Sequence, residues 1–471
     1  MTFRLESDSI GSLQVPSEAY YGVQTLRAKN NFFITGYRLN PIFISSLAYV
    51  KKAAAICNME AETIQEDVAK AIIQAADEII SGKFRDQFIT DVIQGGAGTS
   101  MNMNMNEVIA NRANELLGGA LGTYDKVHPN DHVNFGQSTN DVVPTSGKLT
   151  IQFLLRDLLK NLEDLYSTFQ SKATQYDHII KMGRTHLQDA VPIRVGQEFR
   201  AFSGPVKRDI ERLKSAMYEL SFVNMGATAV GTGLNADINY IQRVVEVLSE
   251  VTGFSFSQCE DLVDGTRNLD SFVYLSSILK TCAVNLSKTA NDIRLMSSGP
   301  KAGIAELILP QEQPGSSIMP GKVNPVIPEV MNQVCFQIFG NDVTITKAAE
   351  AGQLELNVFE PVLFFNLFQS IQILTNGIRT FIDNCIAGIQ VNEEDCKYWL
   401  TRSVGVVTAL SPHIGYKVAA EIAKLSLKTG KPVYDLVLEQ GLLEKEKLDI
   451  ILNPFEMTKP GIAGKELLKH D

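Results

Sequence analysis

Four short polar segments hold the side chains whose types and spacing could do chemistry in this chain. They are rich in hydroxyl, amide and imidazole groups and are punctuated by glycine and proline. Such groups can bind a small carboxylate or move a proton. The segments are residues 95–100, 128–141, 183–189 and 313–325.

The first segment, Gly-Gly-Ala-Gly-Thr-Ser at residues 95–100, precedes a stretch typical of a helix. A serine or threonine before a helix caps it and leaves backbone N–H groups free to meet an anion. The segment therefore suits a carboxylate cradle, but an ordinary capped helix start explains it too. On this segment alone we favour the capped helix.

The second segment places eight uncharged polar or imidazole groups in 14 positions, from His128 to Asp141. Buried groups of this kind need partners, so the segment is either a polar surface loop or part of a binding site. The third segment sets His186 beside Thr185, a pair able to bind a carboxylate or move a proton. A single histidine is nevertheless more often structural.

The fourth segment has three prolines and two glycines in 13 positions, which forbid regular structure. Ser316 and Ser317 lie between the glycines, and Lys322 follows the second glycine. Lysine supplies a point charge for an anion, and mobile loops commonly close over active sites. A solvated linker fits less well because Ile318 and Met319 are apolar.

Charge and composition exclude several functions. With 53 acidic and 43 basic residues the net charge is -10, so we expect no nucleic acid and no membrane as a partner. No apolar run approaches the roughly 20 residues that span a bilayer, and the N-terminus lacks an apolar signal core. We therefore expect a globular, cytoplasmic protein.

The motifs indicate neither a metal site nor a nucleotide site. The six cysteines are scattered without a CxxC pair, which suits reduced, buried thiols, and the six histidines form no HExxH motif. Residues 231–236, Gly-Thr-Gly-Leu-Asn-Ala, match the GxGxxA motif of a dinucleotide-binding site. We reject that interpretation because we expect a long helix before them rather than the required strand.

Long helices must position these segments, because apolar residues recur at steps of three and four over five or more turns. Such helices bury their apolar stripes best against one another, so we expect a mainly α fold with a long central helix bundle. Gly204-Pro205 falls inside one series, where we expect a kink rather than a helix end. The series cover residues 151–169, 199–220 and 272–296.

Shorter helices are predicted over residues 41–59 and 63–80, and alternation suggests only one short hairpin, at residues 3–15. After about residue 392, short helices alternate with turn signals. We expect three domains: a mainly helical N-terminal domain at 1–138, the central long-helix bundle at 139–392 and a small helical C-terminal domain at 393–471.

Taken together, the polar segments resemble the aspartase/fumarase superfamily. Gly-Arg-Thr-His-Leu-Gln-Asp at 183–189 and Gly-Ser-Ser-Ile-Met-Pro-Gly-Lys-Val-Asn-Pro at 315–325 carry the resemblance. Agreement over the eleven positions of the second stretch does not arise by chance. The resemblance runs nearly end to end, through residues 20–25, 94–100, 224–233 and 452–454.

Two features are typical of the aspartase branch. Gln-Ser-Thr-Asn-Asp at 137–141 has Thr139 where fumarases usually have a second serine, and residues 322–329 continue in the aspartase manner. The resemblance therefore implies reversible elimination of ammonia from L-aspartate to give fumarate. His128-Pro129-Asn130-Asp131 instead resembles a secondary anion site of class II fumarases, which keeps hydration of fumarate as the alternative.

The resemblance also implies a quaternary structure. It predicts a three-domain, mainly helical subunit whose central helices assemble into the helical core of a homotetramer. Each active site would then be composite, with the second, third and fourth polar segments coming from different subunits. The other partners would be the small molecules L-aspartate, fumarate and ammonia.

The resemblance further assigns the residues of the site. Removing the C3 proton of L-aspartate pushes a second negative charge onto the adjacent carboxylate, giving an aci-carboxylate, so many donors must meet that carboxylate. The implied roles are Thr99, Ser138, Thr139 and Ser317 on the reacting carboxylate, Thr185, Lys322 and Asn324 on the other carboxylate, and Asn140 and His186 on the ammonium group.

Two residues compete for the role of general base. From chemistry alone His186 is the natural choice, because imidazole is the usual acid–base group near neutral pH. The resemblance instead implies Ser316, although an alkoxide is strongly basic and needs nearby donors and a closed, water-poor site. We adopt Ser316 as the base, with Glu329 orienting His186. We expect no metal or organic cofactor.

Two non-catalytic interpretations remain open. Some members of this superfamily serve as lens structural proteins, and a helical interaction scaffold would need similar helices. The presence of Ser316, Lys322, Asn324 and His186 argues against the first interpretation. The second leaves the four polar segments unexplained.

Overall fold

A computed structural model describes residues 2–468, which are mainly helical. The helices are α1 (Val23–Asn31), α2 (Pro41–Glu60), α3 (Glu66–Ile80), α4 (Thr99–Leu116), α5 (Thr139–Gln175), α6 (Val195–Glu219), α7 (Ile238–Thr252), α8 (Leu262–Arg267), α9 (Asp270–Met296), α10 (Val326–Glu350), α11 (Glu360–Asn384), α12 (Glu393–Arg402), α13 (Val407–Ile414), α14 (Tyr416–Thr429), α15 (Val433–Glu439) and α16 (Lys445–Ile451). The strands are β1 (Phe3–Asp8), β2 (Gly11–Pro16), β3 (Ile180–Thr185), β4 (Gln188–Arg194), β5 (Phe222–Val223), β6 (Ser257–Gln258), β7 (Leu307–Ile308) and β8 (Gln390–Val391).

Five long helices confirm the mainly α fold class. Helix α5 has 37 residues, α9 has 27, and α6, α10 and α11 have 25 each. Helices α5, α6 and α9 contain the three predicted apolar series. Members of the stripe on α5, such as Leu158, Leu165 and Phe169, have no exposed surface. The periodicity therefore identifies the buried faces correctly.

Side-chain size sets how closely these helices pack. On α5, a Cβ atom on Gly147 would lie 2.2 Å from Cζ of Phe364 on α11, so only glycine lets that ring approach. Further along α5, the Phe169 ring packs on Phe199 of α6 with centroids 6.4 Å apart. Helix α6 runs on through Pro205, so the prediction that this proline does not end the helix is confirmed.

The chain forms two compact units. The first contains residues 2–160, 209–283 and 335–375, and the second contains residues 161–208, 284–334 and 376–468. Each of the five long helices contributes residues to both units. The division into three domains stays a prediction.

Helix α2 in the first unit corrects one expectation. Its 20 residues are long and apolar enough to cross a membrane by length and composition, although no such run was predicted. However, 67% of its most apolar window is buried inside the protein, where the helix packs on α3 and α7. This burial is typical of a core helix in a globular protein. The following helix, α3, begins at Glu66, slightly later than predicted.

Two hairpins are present where one was predicted. The β1–β2 hairpin confirms the prediction at residues 3–15. The expectation that strands are otherwise nearly absent is wrong for β3 and β4, which pair in antiparallel fashion and carry the third polar segment. The alternation of apolar and polar residues is interrupted there, because the strand register shifts between Met182 and Arg184. The turn also lacks the Asn-Gly signal of a two-residue hairpin.

Residues 231–236 follow the two-residue strand β5, not a helix as expected. Strand β5 pairs in parallel with β6, and α7 lies between them in the chain. Helix α7 begins only at Ile238, so the glycines do not form the tight strand–turn–helix connection of a dinucleotide site. A Cβ atom on Gly231 would lie 2.4 Å from Cα of Val263, so this glycine serves close packing.

The C-terminal helices of the second unit have an apolar cluster of their own. Its buried members come from α13, α14, α15 and α16. They are Leu410, Ile422, Val433, Leu436, Val437, Leu448 and Ile451. All six cysteines are free thiols, and five of them are buried, as expected for reduced cysteines.

Candidate functional site

The 95–100 loop leads into α4 in the first unit. The N-cap residue of α4 is Gly98, with φ of 92°. Glycine has no side chain that could accept a capping hydrogen bond, so the expected serine or threonine cap is wrong. Gln94 takes over part of this role, since its Oε1 accepts a hydrogen bond from the backbone N–H of Met101 at 3.1 Å. Thr99 is exposed and donates its hydroxyl to the carbonyl of Gly96 at 2.7 Å.

The 137–141 loop forms the start of α5. Ser138 Oγ accepts a hydrogen bond from the backbone N–H of Asn140 at 3.2 Å, and the backbone N–H of Ser138 donates to Asp141 Oδ1 at 2.9 Å. These reciprocal bonds form a capping box, in which each side chain satisfies a backbone donor of the first helical turn. Ser138, Thr139 and Asn140 are therefore held in fixed backbone positions.

Two contacts connect this loop to its surroundings in the first unit. Thr139 Oγ1 accepts a hydrogen bond from Asn102 Nδ2 at 3.4 Å, so the second polar segment contacts helix α4, which follows the first. Asn140 Nδ2 donates to the carbonyl of Ala229 at 2.7 Å. No residue between 2 and 468 donates to Asn140 Oδ1, which leaves an acceptor for a ligand.

A buried lysine lies behind the same loop. Lys51 of α2 has no exposed surface, and its Nζ donates to Asn134 Oδ1 at 2.8 Å and to Gln137 Oε1 at 2.9 Å. Burial lowers the pKa of Lys51 to about 7, although the charge of Asp141 acts to raise it. Sequence reasoning missed Lys51 because its partners are more than 80 residues away in the chain.

Asp141 is the second residue that sequence reasoning left without a role. It has no exposed surface, and burial raises its pKa to about 6 against the opposing effect of backbone N–H groups that bond to it. A signal for it was present, because an acidic residue three positions after Ser138 is the pattern of a capping box.

The turn after His128 is a short π-helix, Pro129–Val133. His128 Nδ1 accepts hydrogen bonds from the backbone N–H groups of Asn130 at 3.3 Å and Asp131 at 3.2 Å. Residues 128–131 resemble a fumarase anion site, but these two backbone N–H groups already donate to His128 and are not free to bind an anion. Burial lowers the pKa of His132, whose Nδ1 accepts from the backbone N–H of His128.

In the second unit, Thr185 and His186 lie at the tip of the β3–β4 hairpin. His186 and Leu187 form its two-residue turn with φ of 54° and 60°, between the paired residues Thr185 and Gln188. Both turn residues are in the left-handed region, which costs roughly 1–2 kcal/mol for a non-glycine residue. Such strain is kept where the surrounding structure or a function requires it. Thr185 and His186 are exposed.

A buried ion-pair network anchors this hairpin. Glu306 has no exposed surface and bonds to Lys181 Nζ at 2.7 Å and Arg184 Nη1 at 2.8 Å. Lys181 also contacts Glu198 at 3.0 Å. Burial acts to lower the pKa of Lys181, but the attraction of Glu198 and Glu306 outweighs it and the pKa is raised. The network fixes both ends of β3 below the exposed tip.

The 313–325 loop contains no helix or strand, as predicted. Its base is closed by two bonds: Gly315 N–H to the carbonyl of Lys322 at 2.8 Å, and Asn324 Nδ2 to the carbonyl of Gly315 at 2.7 Å. A Cβ atom on Gly315 would lie 2.2 Å from the Lys322 carbonyl oxygen, so glycine is required there. Lys322 and Ser317 are exposed.

Ser316 lies at the start of a tight turn in this loop. Its Oγ accepts hydrogen bonds from the backbone N–H groups of Ile318 at 3.2 Å and Met319 at 3.0 Å. Two donors aimed at one hydroxyl oxygen stabilise negative charge on that oxygen. The turn also leaves Ile318 83% exposed at the loop surface.

The predicted site residues are thus divided between the two units. Thr99, Ser138, Thr139 and Asn140 lie in the first unit, and Thr185, His186, Ser316, Ser317, Lys322, Asn324 and Glu329 lie in the second. Glu329 is in the first turn of α10. Within residues 2–468, no ion pair joins His186 to Glu329, and no hydrogen bond joins the hairpin tip to the 313–325 loop.

Comparisons with known proteins establish the family. A family model described as Lyase matches residues 11–340, and one described as Fumarase C C-terminus matches residues 406–459. This chain belongs to the aspartase/fumarase superfamily of lyases. An aspartate ammonia-lyase of Bacillus subtilis (strain 168) is 57% identical over 99% of this chain and 98% of its own length. An aspartate ammonia-lyase of Escherichia coli (strain K12) is 48% identical over 98% of this chain and 97% of its own length.

Solved structures of the superfamily have the same fold. The fumarate lyase:delta crystallin from Brucella melitensis bound to cobalt has a TM-score of 0.95 and 46% identity, over 98% of this lyase and 100% of that chain. A class II fumarase from Schistosoma mansoni has a TM-score of 0.94 and 37% identity, over 97% of this lyase and 99% of that chain. The lyase is an enzyme of the carbon–nitrogen lyase class.

Proposed function

We propose that this lyase catalyses the reversible elimination of ammonia from L-aspartate to give fumarate. The observation that carries the proposal is its 57% identity, over nearly the whole length of both chains, to an aspartate ammonia-lyase. Relatives with the same name in Helicobacter pylori are 50% identical over 97% of the chain. Thr139 in the 137–141 loop supports the same substrate.

The first chemical step is removal of the C3 proton. The electron pair left on C3 moves into the adjacent carboxylate, which becomes an aci-carboxylate with a second negative charge. Thr99, Ser138, Thr139 and Ser317 are the donors we assign to this group. Each well-placed donor to a developing oxyanion is worth roughly 2.7–4 kcal/mol, so losing any of them slows the reaction strongly.

Ser316 is the base in our proposal. Its Oγ accepts backbone N–H bonds from Ile318 and Met319 at 3.2 and 3.0 Å, which lower the cost of forming the alkoxide. In our proposal this loop closes over the substrate and excludes water from the alkoxide. His186 carries no comparable set of contacts among residues 2–468, which favours a binding role for it.

The second step expels the amine. The aci-carboxylate collapses, the double bond forms between C2 and C3, and the C2–N bond breaks. Because the amine is already protonated in the substrate, it leaves as neutral ammonia without a strong general acid. Asn140 supports this step, since its amide group donates to Ala229 at 2.7 Å and its Oδ1 remains an acceptor for the ammonium group.

Lys322, Asn324 and Thr185 would hold the other carboxylate, and Glu329 would orient His186. These groups lie in the second unit, and Thr185 and His186 are exposed. We therefore infer composite active sites in a homotetramer, with the exposed hairpin tip completed by another subunit. The partners we expect are small molecules only, in the cytoplasm, with neither nucleic acid nor a membrane.

Hydration of fumarate is the second candidate function. It is favoured by the match of residues 406–459 to the family model described as Fumarase C C-terminus and by the resemblance of residues 128–131 to a secondary anion site of class II fumarases. An ultraviolet assay for fumarate, run with L-aspartate and with L-malate on the same preparation, separates the two. We expect turnover of L-aspartate. Faster turnover of L-malate would replace the proposed function with fumarase activity.

A further inference from the structure

We propose that Asp141 and the turn at residues 224–229 form a platform that positions Ser138, Thr139 and Asn140 for the reaction. The inference rests on the proposed function, in which these three residues meet the reacting end of the substrate. It gives a role to residues 224–229, which belong to a part of the resemblance that no catalytic step uses. All of the residues involved lie in the first unit.

Asp141 connects the loop to the turn through backbone hydrogen bonds. Its Oδ1 accepts from the backbone N–H of Ser138 at 2.9 Å, while its Oδ2 accepts from Gly226 at 3.2 Å and Thr228 at 3.0 Å. The side chain has no exposed surface, so no water competes for these donors. One carboxylate therefore fixes three backbone positions in two segments that are 85 residues apart.

The turn holds the loop through two further bonds. Asn224 Nδ2 donates to the carbonyl of Asn140 at 3.0 Å, and Asn140 Nδ2 donates to the carbonyl of Ala229 at 2.7 Å. Asn224 is itself buried and is held by Thr266 Oγ1 at 3.0 Å. Both the backbone and the amide group of Asn140 are therefore oriented by the turn.

Backbone strain in the turn indicates that its shape is enforced. Thr228 is β-branched and has φ of 58°, a conformation that is a genuine outlier for this residue type. Its N–H donates to Asp141, and its buried Oγ1 finds no partner among residues 2–468. Strained residues persist where the surroundings over-determine them, typically beside functional sites.

The platform matters because the reacting carboxylate gains its second charge only during the reaction. Donors stabilise that charge fully only when they are already in place, and a displacement of about 1 Å costs up to about 10²-fold in rate. Loss of the platform should therefore affect turnover more than it affects the binding of a substrate analogue that never develops the charge.

The test compares two variants with two matched controls in the full-length enzyme. Asp141→Asn and Asn224→Ala remove the platform from its two sides. Glu107→Gln is the control for the first, because Glu107 is also buried and accepts three backbone N–H bonds, from Gly22, Gln24 and Thr25. Asn114→Ala is the control for the second, because Asn114 is buried and donates to Ala120.

We expect each platform variant to lower kcat by about 10-fold or more, with the dissociation constant of succinate changed by less than about threefold. The controls remove equally buried hydrogen-bonding groups elsewhere in the first unit and should not show this fall in kcat. An equal fall in kcat in the controls would show a merely structural role and overturn the proposal. If Asp141→Asn does not fold, Asn224→Ala decides the question alone.

Amide hydrogen exchange separates this proposal from the proposed function. In Asp141→Asn, the amides of Ser138, Gly226 and Thr228 should exchange faster than in the wild type, while those of the β3–β4 hairpin should not change. Unchanged exchange at those three amides would refute the platform even if the enzyme is active. An inactive wild type with faster exchange in the variant would refute the proposed function and leave the positioning contact established.

Discussion

Ser316 Oγ accepts a hydrogen bond from the backbone N–H of Met319 at a distance of 3.0 Å. Together with the N–H of Ile318 at 3.2 Å, this donor offsets the main physical objection to a serine base, namely the high energy of an alkoxide. The donors belong to the same turn as the serine, so they remain with it wherever the loop moves. The relationship makes Ser316 a better base than its residue type alone suggests.

Ser316→Ala should lower turnover by the roughly 10²–10⁴-fold expected for losing a positioned proton-transfer group. The fold should survive, because the variant removes one hydroxyl from a loop without regular structure. Succinate affinity should change little, since Lys322, Asn324 and Thr185 still hold a carboxylate in our account. Steady-state kinetics and calorimetry check both parts. A variant that keeps most of its turnover would return His186 to the role of base.

Lys322→Ala should weaken succinate binding more than Ser316→Ala does. The exposed ammonium of Lys322 is the point charge that we assign to capturing a carboxylate. Lys322→Arg keeps the charge and is the matched control, and it should lose less affinity. Unchanged succinate affinity in Lys322→Ala would remove this residue from the binding site.

Mixing inactive Ser316→Ala chains with inactive His186→Ala chains should restore part of the activity. The two residues do not contact each other through any hydrogen bond within residues 2–468, and His186 is exposed. In a mixed tetramer with shared sites, some sites would contain both intact residues. Native mass spectrometry confirms mixing, and an absence of recovered activity in confirmed mixed tetramers would count against composite sites.

Glu107 gives a pH-dependent prediction for stability. Burial raises the pKa of Glu107 to about 7 from 4.5, so the folded state holds its proton more tightly than the unfolded chain does. The stabilising contribution is complete below pH 4.5 and is lost as the pH rises to about 7. As the pH rises over this window, the free energy of unfolding of the wild type should fall by up to about 3 kcal/mol relative to that of Glu107→Gln. Thermal melts of both proteins at several pH values check the sign. A constant difference would contradict it.

The helical part of the fold could be predicted because a stripe of apolar residues on a long helix has a strong local period. Leu158 and Phe169 lie on the buried face for that reason. The β3–β4 hairpin could not be predicted in the same way, because its turn residues His186 and Leu187 are not typical of a left-handed turn. Its stability depends on Glu306, which is more than 100 residues away in the chain.

The candidate site was accessible to sequence reasoning only where a motif is continuous. Ser138, Thr139 and Asn140 stand next to one another, so their polar character is visible in the sequence. The groups that hold this loop are Lys51, which bonds to Gln137, and Asn224, which bonds to Asn140. Both come from distant segments and have no local signature. Contacts between such segments are set by tertiary packing, which periodicity and spacing do not encode.

The proposed ammonia-lyase activity is tested most sharply by the reverse reaction, followed by proton NMR in one sample of fumarate in ammonium buffer. Ammonia and water compete there for the same double bond, so a single spectrum distinguishes the two candidate functions. We expect L-aspartate to accumulate while fumarate disappears, and no L-malate to form at a comparable rate. Accumulation of L-malate in place of L-aspartate would show a fumarase and overturn the proposed ammonia-lyase activity.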